Sequence, residues 1–355
     1  MLLPFRNLVL VPRVMFSAGA VGQVDSLATA TARGGAKVYL VDHNFARFGL
    51  SGLVPTGRSH VYPVDTTDEP TTAQVDALRN RVLADVGGVP SVVIGVGGGS
   101  TLDVAKAVSI VLTNDGGAER YQGWDLVANP AVYKIGVPTI SGTGAEVSRT
   151  AVLTGPRKKQ GINSDASVFD QVVLDPELLA TVPPDQRFFT GMDCYIHSVE
   201  ALSGTFLNAF SRGFAGKALD LCRGVFLGDA PDADLMVASL MGGVSIVYSE
   251  VGLCHALSYG LSWAYGVHHG VANCIVFDTL GEFYGEHIGE FRLMLQRAGV
   301  ALPRSPLQPN DRTTLEGMID VTLLMERPLC NALGPDWQAM LPRDRIRELY
   351  LRMAG

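Results

Sequence analysis

Val92-Val-Ile-Gly-Val-Gly-Gly-Gly-Ser-Thr-Leu-Asp-Val-Ala-Lys106 reads as a β-strand, a turn of three glycines and the opening of a helix. Val92–Val96 is short, β-branched and bounded by turn residues, the pattern of a buried strand. Gly97, Gly98 and Gly99 let backbone N–H groups approach an anion with no Cβ in the way. Ser100 is placed to cap the helix, whose positive end then faces the same anion. A pyrophosphate fits such a turn. The motif alone reads also as a tight strand-to-helix connection, because Ser100 breaks the G-x-G-x-x-G pattern. Working outward, Lys37–Val41 is a second buried strand, followed by Asp42. A carboxylate there commonly accepts ribose hydroxyls and repels a 2′-phosphate, which favours NAD over NADP. Taken singly, Asp42 reads equally well as a turn residue. Ile135–Pro138 ends a further strand, and PTISGTGAE at 138–146 places Thr139, Ser141, Gly142, Thr143 and Gly144 in a second small-residue loop rich in hydroxyl donors. Thr71–Val86 has Val75, Leu78, Val82 and Leu83 at helical spacing. Strand–helix–strand alternation predicts a doubly wound, Rossmann-like parallel sheet.

From about Thr190 the grammar changes. Gly191–Leu202 and Ala233–Tyr248 carry Ala, Leu and Met at helical spacing. Pro176, Pro183 and Pro184 interrupt both patterns, so the boundary is expected within Asp175–Arg187. The reading is an α/β dinucleotide-binding domain over 1–180 and an all-α domain over 181–355. Four of the seven histidines lie in or beside two short segments of that second half. Asp193 and His197 share one helical face at i, i+4. His255 begins HALSYGL, and His269 closes VHH. One carboxylate and three imidazoles suit Fe²⁺ or Zn²⁺ far better than Mg²⁺ or Ca²⁺. Any one of these histidines alone would read as a satisfied core residue; the set, in a charge-poor stretch, reads as a metal centre. Cys194 and Cys254 flank proposed ligands but fall on other helical faces, as packing residues.

Composition bounds the alternatives. The 355 residues are 47% hydrophobic and 18% charged, with 28 Lys and Arg against 35 Asp and Glu, a net charge of −7. That balance excludes nucleic-acid binding through a basic face. Glycine, 40 residues, exceeds the usual ~7% and points to tight turns and close backbone approach to ligands. Five cysteines without a CxxC pair suit a reducing compartment. MLLPFRNLVLVPR at the N-terminus lacks a signal-peptide pattern, so a cytoplasmic location is expected. Glu250 to Asp278 encloses no charged side chain and is long enough to span a bilayer. Its histidines and glycines read instead as buried helices joined by a loop, with no membrane partner.

The motifs GGGSTLDVAK (97–106), PTISGTGAEVS (138–148), LDPELLATVPP (174–184), DCYIH (193–197), GLCHALSYGL (252–261) and HHGVAN (268–273) occur together in order. Over roughly residues 5–280 the chain thereby resembles the metal-dependent (iron-activated, group III) alcohol dehydrogenases, which share the dehydroquinate synthase-like fold. The resemblance implies that Asp193, His197, His255 and His269 hold the metal. It implies a pyrophosphate on Gly97, Gly98, Gly99 and Ser100, with Asp42, Asp103, Thr139, Ser141, Thr143 and Lys159 as further NAD(P) contacts. It also implies a homodimer. Two positions depart from the family: Tyr259 stands where many members have a second histidine, and His268 where proline is frequent. Both are candidates to relay the proton released in catalysis, with packing as the equal alternative. The closest branch oxidises the C8 hydroxyl of 3-deoxy-D-manno-octulosonate, for lipopolysaccharide sugar biosynthesis. Arg149 and the run Arg157–Lys159 could meet the carboxylate of such a sugar acid, or form a solvated hairpin. The competing readings are a dehydrogenase of a small polyol or diol, a dehydroquinate synthase-type lyase that returns its hydride within one turnover, an oxygen-using oxidase, and a non-catalytic metal-binding scaffold.

Overall fold

The β-branched run at 92–96 lies in the interior of a parallel sheet, buried at every position. The structure, a computed structural model, describes residues 9–45, 60–156, 159–308 and 310–354. The N-terminal stretch 1–8, and Arg157 and Lys158 of the basic run, lie outside the described residues. The first half of the described chain runs β1 (Val14–Phe16), α1 (Val24–Ala32), β2 (Lys37–Asp42), β3 (His60–Val64), α2 (Thr72–Val86), β4 (Val92–Gly97), α3 (Gly99–Val111), β5 (Gly123–Trp124), β6 (Tyr133–Pro138), β7 (Thr150–Thr154), β8 (Lys159–Asn163) and β9 (Gln171–Leu174). Six strands form one sheet in the order β1-β9-β6-β4-β2-β3, every pair parallel. β5, β8 and β7 make a small second sheet. The helix read at 71–86 forms because the Thr71 hydroxyl accepts the Gln74 N–H at 3.1 Å, while Val75, Leu78 and Val82 are buried. Tyr39, Ile94, Val96, Ile135, Val137 and Val173 pack with Ala28 in the core of this unit.

The topology fixes where a ligand site can form. β3 lies outward from β2 on one side, and β4, β6 and β9 lie in sequence on the other. The order therefore reverses between β2 and β4, the place where open α/β sheets bind ligands beyond their carboxyl ends. Asp42, Gly97 and Pro138 end β2, β4 and β6, so all three stand at that edge.

The second half is helical: α4 (Pro184–Ser203), α5 (Ala209–Phe226), α6 (Asp232–Tyr248), α7 (Leu253–Tyr265), α8 (His269–Asp278), α9 (Gly281–Tyr284), α10 (Glu286–Ala298), α11 (Arg312–Leu323), α12 (Glu326–Leu333), α13 (Trp337–Met340) and α14 (Arg343–Met353). Pro184 occupies the first turn of α4, where its missing N–H costs nothing. Asn208 and Ser211 form a reciprocal capping box at α5. Phe188 meets Phe189 and Phe226 edge to face in a core that also takes in Leu257, Phe277 and Phe291. Val9–Val182 and Pro183–Gly355 are the two compact units. All five cysteines are buried free thiols. No single helix among the described residues is long and apolar enough to cross a membrane.

Candidate functional site

Asp193 and His197 project from one face of α4, His255 from the first turn of α7, and His269 from the first residue of α8. One donor atom from each lies within 4.8 Å of the other three. Asp193 Oδ1 is 3.2 Å from His255 Nε2 and 3.6 Å from the Nε2 atoms of His197 and His269. A tetrahedral centre with bonds of ~2.1 Å has donor–donor edges of ~3.4 Å, so these spacings fit a divalent cation at their centre. The His197 and His255 rings stack at 4.6 Å. Asp193, His197 and His255 are buried, and His269 is half-buried. Asp193 Oδ2 is buried without a hydrogen-bond partner. A buried carboxylate oxygen with no donor is costly unless a cation meets it.

The electrostatics of Asp193 and His197 agree with that fit, while a cation would have to displace a proton from His255. Burial alone would raise the Asp193 carboxyl, but His197, His269 and His255 outweigh it and hold the carboxyl well below its usual range. Burial pushes His197 down to about 4, leaving the neutral imidazole that binds metals. Burial would lower His255 as well, yet the Glu200 and Asp193 carboxylates prevail and raise it to about 9.

Two residues that the sequence reading did not single out touch this cluster. Glu200, on α4, accepts His255 Nδ1–H at 2.5 Å. Asn273, on α8, donates from Nδ2 to Asp193 Oδ1 at 2.7 Å and lies 3.1 and 3.2 Å from the Nε2 atoms of His255 and His269. The signal was available: Glu200 follows His197 at i+3 and Asn273 follows His269 at i+4, each on its ligand's own helical face.

At the sheet edge, the glycine turn and the second loop come together. Thr139 N–H donates to the Gly97 carbonyl at 3.0 Å. A Cβ on Gly98 would stand 2.9 Å from Ile140, and one on Gly99 2.9 Å from the Thr143 hydroxyl. The glycines are thus required by neighbouring side chains rather than by an unusual backbone angle. Ser100 is not the helix cap: Gly98 holds that position and no side chain caps α3. The first-turn N–H groups of α3 have no partner within the helix, as an anion site needs. Ser141 Oγ is buried with no hydrogen-bond partner. Asp42 accepts the Thr66 hydroxyl at 3.0 Å, the Thr101 hydroxyl at 3.3 Å and the Asn44 N–H at 2.9 Å. It therefore stands beside the glycine turn and shapes its own turn as well.

Other expected contacts are committed elsewhere. Asp103 accepts the Val152 N–H at 2.9 Å, which ties α3 to β7, and Lys106 Nζ from its own helix at 3.2 Å. Lys159 pairs with Glu69 at 3.2 Å. Arg149 pairs with Asp165 at 3.0 Å and also with Asp125. Sequence order could not show these acidic partners, which arrive from distant turns. Tyr259 reaches the metal centre, edge-on to the His269 ring at 5.8 Å. His268 is exposed at the N-cap of α8.

Residues 12–176 match the iron-containing alcohol dehydrogenase family, and residues 188–302 match the C-terminal domain of the same family. The chain is 32% identical over 273 residues to long-chain-alcohol dehydrogenase 1 of Geobacillus thermodenitrificans, covering 72% of this chain and 68% of that protein. It is 34% identical over 191 residues to sulfoacetaldehyde reductase of Bilophila wadsworthia, covering 51% of this chain and 49% of that protein. Across these two relatives, then, the chain spans about half to two thirds of their length. The structure of sulfoacetaldehyde reductase from Bifidobacterium kashiwanohense in complex with NAD⁺ shares the fold, with a TM-score of 0.78 at 20% identity, over 99% of each chain. The chain belongs to the iron-containing alcohol dehydrogenase family.

Proposed function

We propose that this chain is a metal-dependent oxidoreductase that interconverts a primary alcohol and its aldehyde, with a nicotinamide cofactor as hydride partner. The observation that carries the reading is the convergence of Asp193, His197, His255 and His269, three of them buried, at a carboxylate whose second oxygen, Oδ2, lacks any donor. When bound, Fe²⁺ or Zn²⁺ would supply the Lewis acidity that makes an alcohol O–H acidic near neutral pH, and the nicotinamide would supply or take the hydride. The chain's own residues do the rest. Three imidazoles and one carboxylate hold the cation while keeping it only partly neutralised. His269 is the least buried of the four, and Tyr259, whose ring meets it edge-on, is a candidate to relay the released proton by passing on its own hydroxyl proton as it accepts another. The first-turn N–H groups of α3 bind the pyrophosphate, and Asp42 meets a ribose in preference to a 2′-phosphate.

We infer an acidic substrate, with the C8 hydroxyl of 3-deoxy-D-manno-octulosonate, a lipopolysaccharide sugar, as the sugar-acid candidate. Support comes from the similarity to sulfoacetaldehyde reductase. Arg149 and Lys159 do not add to it, because each already faces carboxylates. The longer alignment with a long-chain-alcohol dehydrogenase favours a second reading, an uncharged alcohol. The five buried thiols fit the reducing cytoplasm, and a homodimer completes the proposal.

The test is anaerobic reconstitution with Fe²⁺ or Zn²⁺, followed by NADH absorbance with sugar acids, sulfonates and plain alcohols as substrates. Sustained NADH formation that is lost, together with bound metal, in His269→Ala is the expected result. Metal binding without net NADH turnover on any alcohol would instead favour a lyase or a scaffold. Higher kcat/KM for simple alcohols than for every acid would remove the acidic substrate.

A further inference from the structure

Glu200 is a fully buried carboxylate whose partners come from two places, the start of α7 and the end of α9. Oε2 accepts His255 Nδ1–H at 2.5 Å and the Gly252 N–H at 2.8 Å. Oε1 accepts the Cys254 N–H at 2.6 Å and the Tyr284 hydroxyl at 2.7 Å. Gly252 is the N-cap of α7 and offers no side chain to cap that helix. Glu200 therefore does from α4 what a capping residue would do locally, and the same carboxylate grips the imidazole that starts α7. A buried charge is tolerated only when paired and hydrogen-bonded; four donors converge on this one.

We propose that Glu200 is the positioning residue of the metal centre: it keeps the His255 proton on Nδ1 and turns Nε2 toward Asp193 as the metal-facing atom. Metal-ligating histidines commonly donate their second N–H to a carboxylate, which fixes the tautomer and makes the imidazole a stronger donor. Here the geometry adds a mechanical link. His255 can leave its orientation only by giving up the hydrogen bond to the group that also caps α7. His197 offers a contrast, since its Nδ1 is buried with no partner. Of the two stacked imidazoles, His255 alone is anchored from behind by a carboxylate.

The inference rests on the metal reading above, and the experiment separates the two. Zn²⁺ affinity is measured by chelator competition in wild type, Glu200→Gln, His255→Ala and the double variant. The Nδ1–H of His255 is followed by ¹⁵N NMR in the Zn²⁺-loaded wild-type protein. The expected result is a protonated Nδ1 in wild type and a roughly 10- to 100-fold loss of Zn²⁺ affinity in Glu200→Gln. In the His255→Ala background, Glu200→Gln should cost little more, because the two act through one interaction. Tyr284→Phe removes a donor that does not touch His255, and should leave affinity within about threefold of wild type, well short of that loss. Wild-type affinity in Glu200→Gln, or additive losses in the double variant, would overturn the proposal. So would a proton on Nε2 in the wild type, a readout that stands even if Glu200→Gln does not fold. Failure of the wild type to bind Zn²⁺ at all would instead defeat the metal reading itself.

Discussion

Asp42 shows how one side chain can serve two ends. Its carboxylate accepts two threonine hydroxyls and a backbone N–H, so deleting it would disturb both the turn and the charge. Asp42→Asn separates them. The amide oxygen can still accept the Asn44 N–H, while the negative charge that repels a 2′-phosphate is gone. The preference for NAD over NADP should fall by about tenfold, equivalent to ~1.4 kcal/mol, with the unfolding midpoint nearly unchanged. Titrating both dinucleotides against wild type and variant decides it; an unaltered ratio would leave Asp42 as a turn residue only. At this scale, what the sequence revealed depended on periodicity. Asp193 and His197 were legible because i, i+4 spacing is a rule of helix geometry. Asp103, Arg149 and Lys159 were not, because a charge carries no mark of which distant group will neutralise it. Glu200 and Asn273 went unread because a Glu or an Asn on a helix is ordinary until the neighbouring helices are in place.

Elements set the precision of the site, and α8 is the clearest case. Its first residue is His269, and the next, Gly270, lies so close to α4 that a Cβ would stand 2.7 Å from the Phe189 carbonyl oxygen. That oxygen belongs to backbone and cannot swing aside. In Gly270→Ala the start of α8 must move away from α4, and His269 moves with it while Asp193 and His197 stay behind. Metal affinity should fall by at least tenfold, since ligand displacement matters no less than loss of an outer partner. The fold should survive, because the rest of α8, from Ala272 to Phe277, is anchored in the core. Equilibrium dialysis with Zn²⁺ measures the first effect and circular dichroism the second; wild-type affinity would mean that the helix contact does not position His269. Sequence patterns located the strands at 37–42 and 92–97 and the helices at 72–86 and 232–248 within a residue or so, but began the helix at 184–203 only at Gly191, seven residues late. They misplaced the start of α3, since Ser is the better cap by preference but Gly98 occupies the turn. Beyond residue 280 the helices went unread, although α10, α11 and α14 run for 13, 12 and 11 residues, long enough to carry a helical period.

The two units carry separate cores and separate halves of the chemistry. Every proposed metal ligand lies in Pro183–Gly355, and every proposed dinucleotide contact lies in Val9–Val182. Binding to a folded state stabilises it by mass action, so each ligand should stabilise the unit that holds its contacts. At a metal concentration of 100 times Kd the gain is ~2.7 kcal/mol. For a unit of 150–250 residues that corresponds to roughly 5–10 °C in Tm. Scanning calorimetry of the metal-loaded protein with and without a chelator, each with and without NAD, gives four unfolding profiles. Chelation should lower the transition of the helical unit by that amount and leave the transition of the sheet unit in place. NAD should raise the sheet unit's transition in chelated and loaded protein alike. Gly270→Ala should cut the chelator effect, to about half for a tenfold loss of affinity, while keeping the NAD effect, which ties each shift to its own residues. If chelation moved both transitions equally, or neither, the assignment of metal to one unit and dinucleotide to the other would fail, because a ligand cannot selectively stabilise a unit in which it has no contacts.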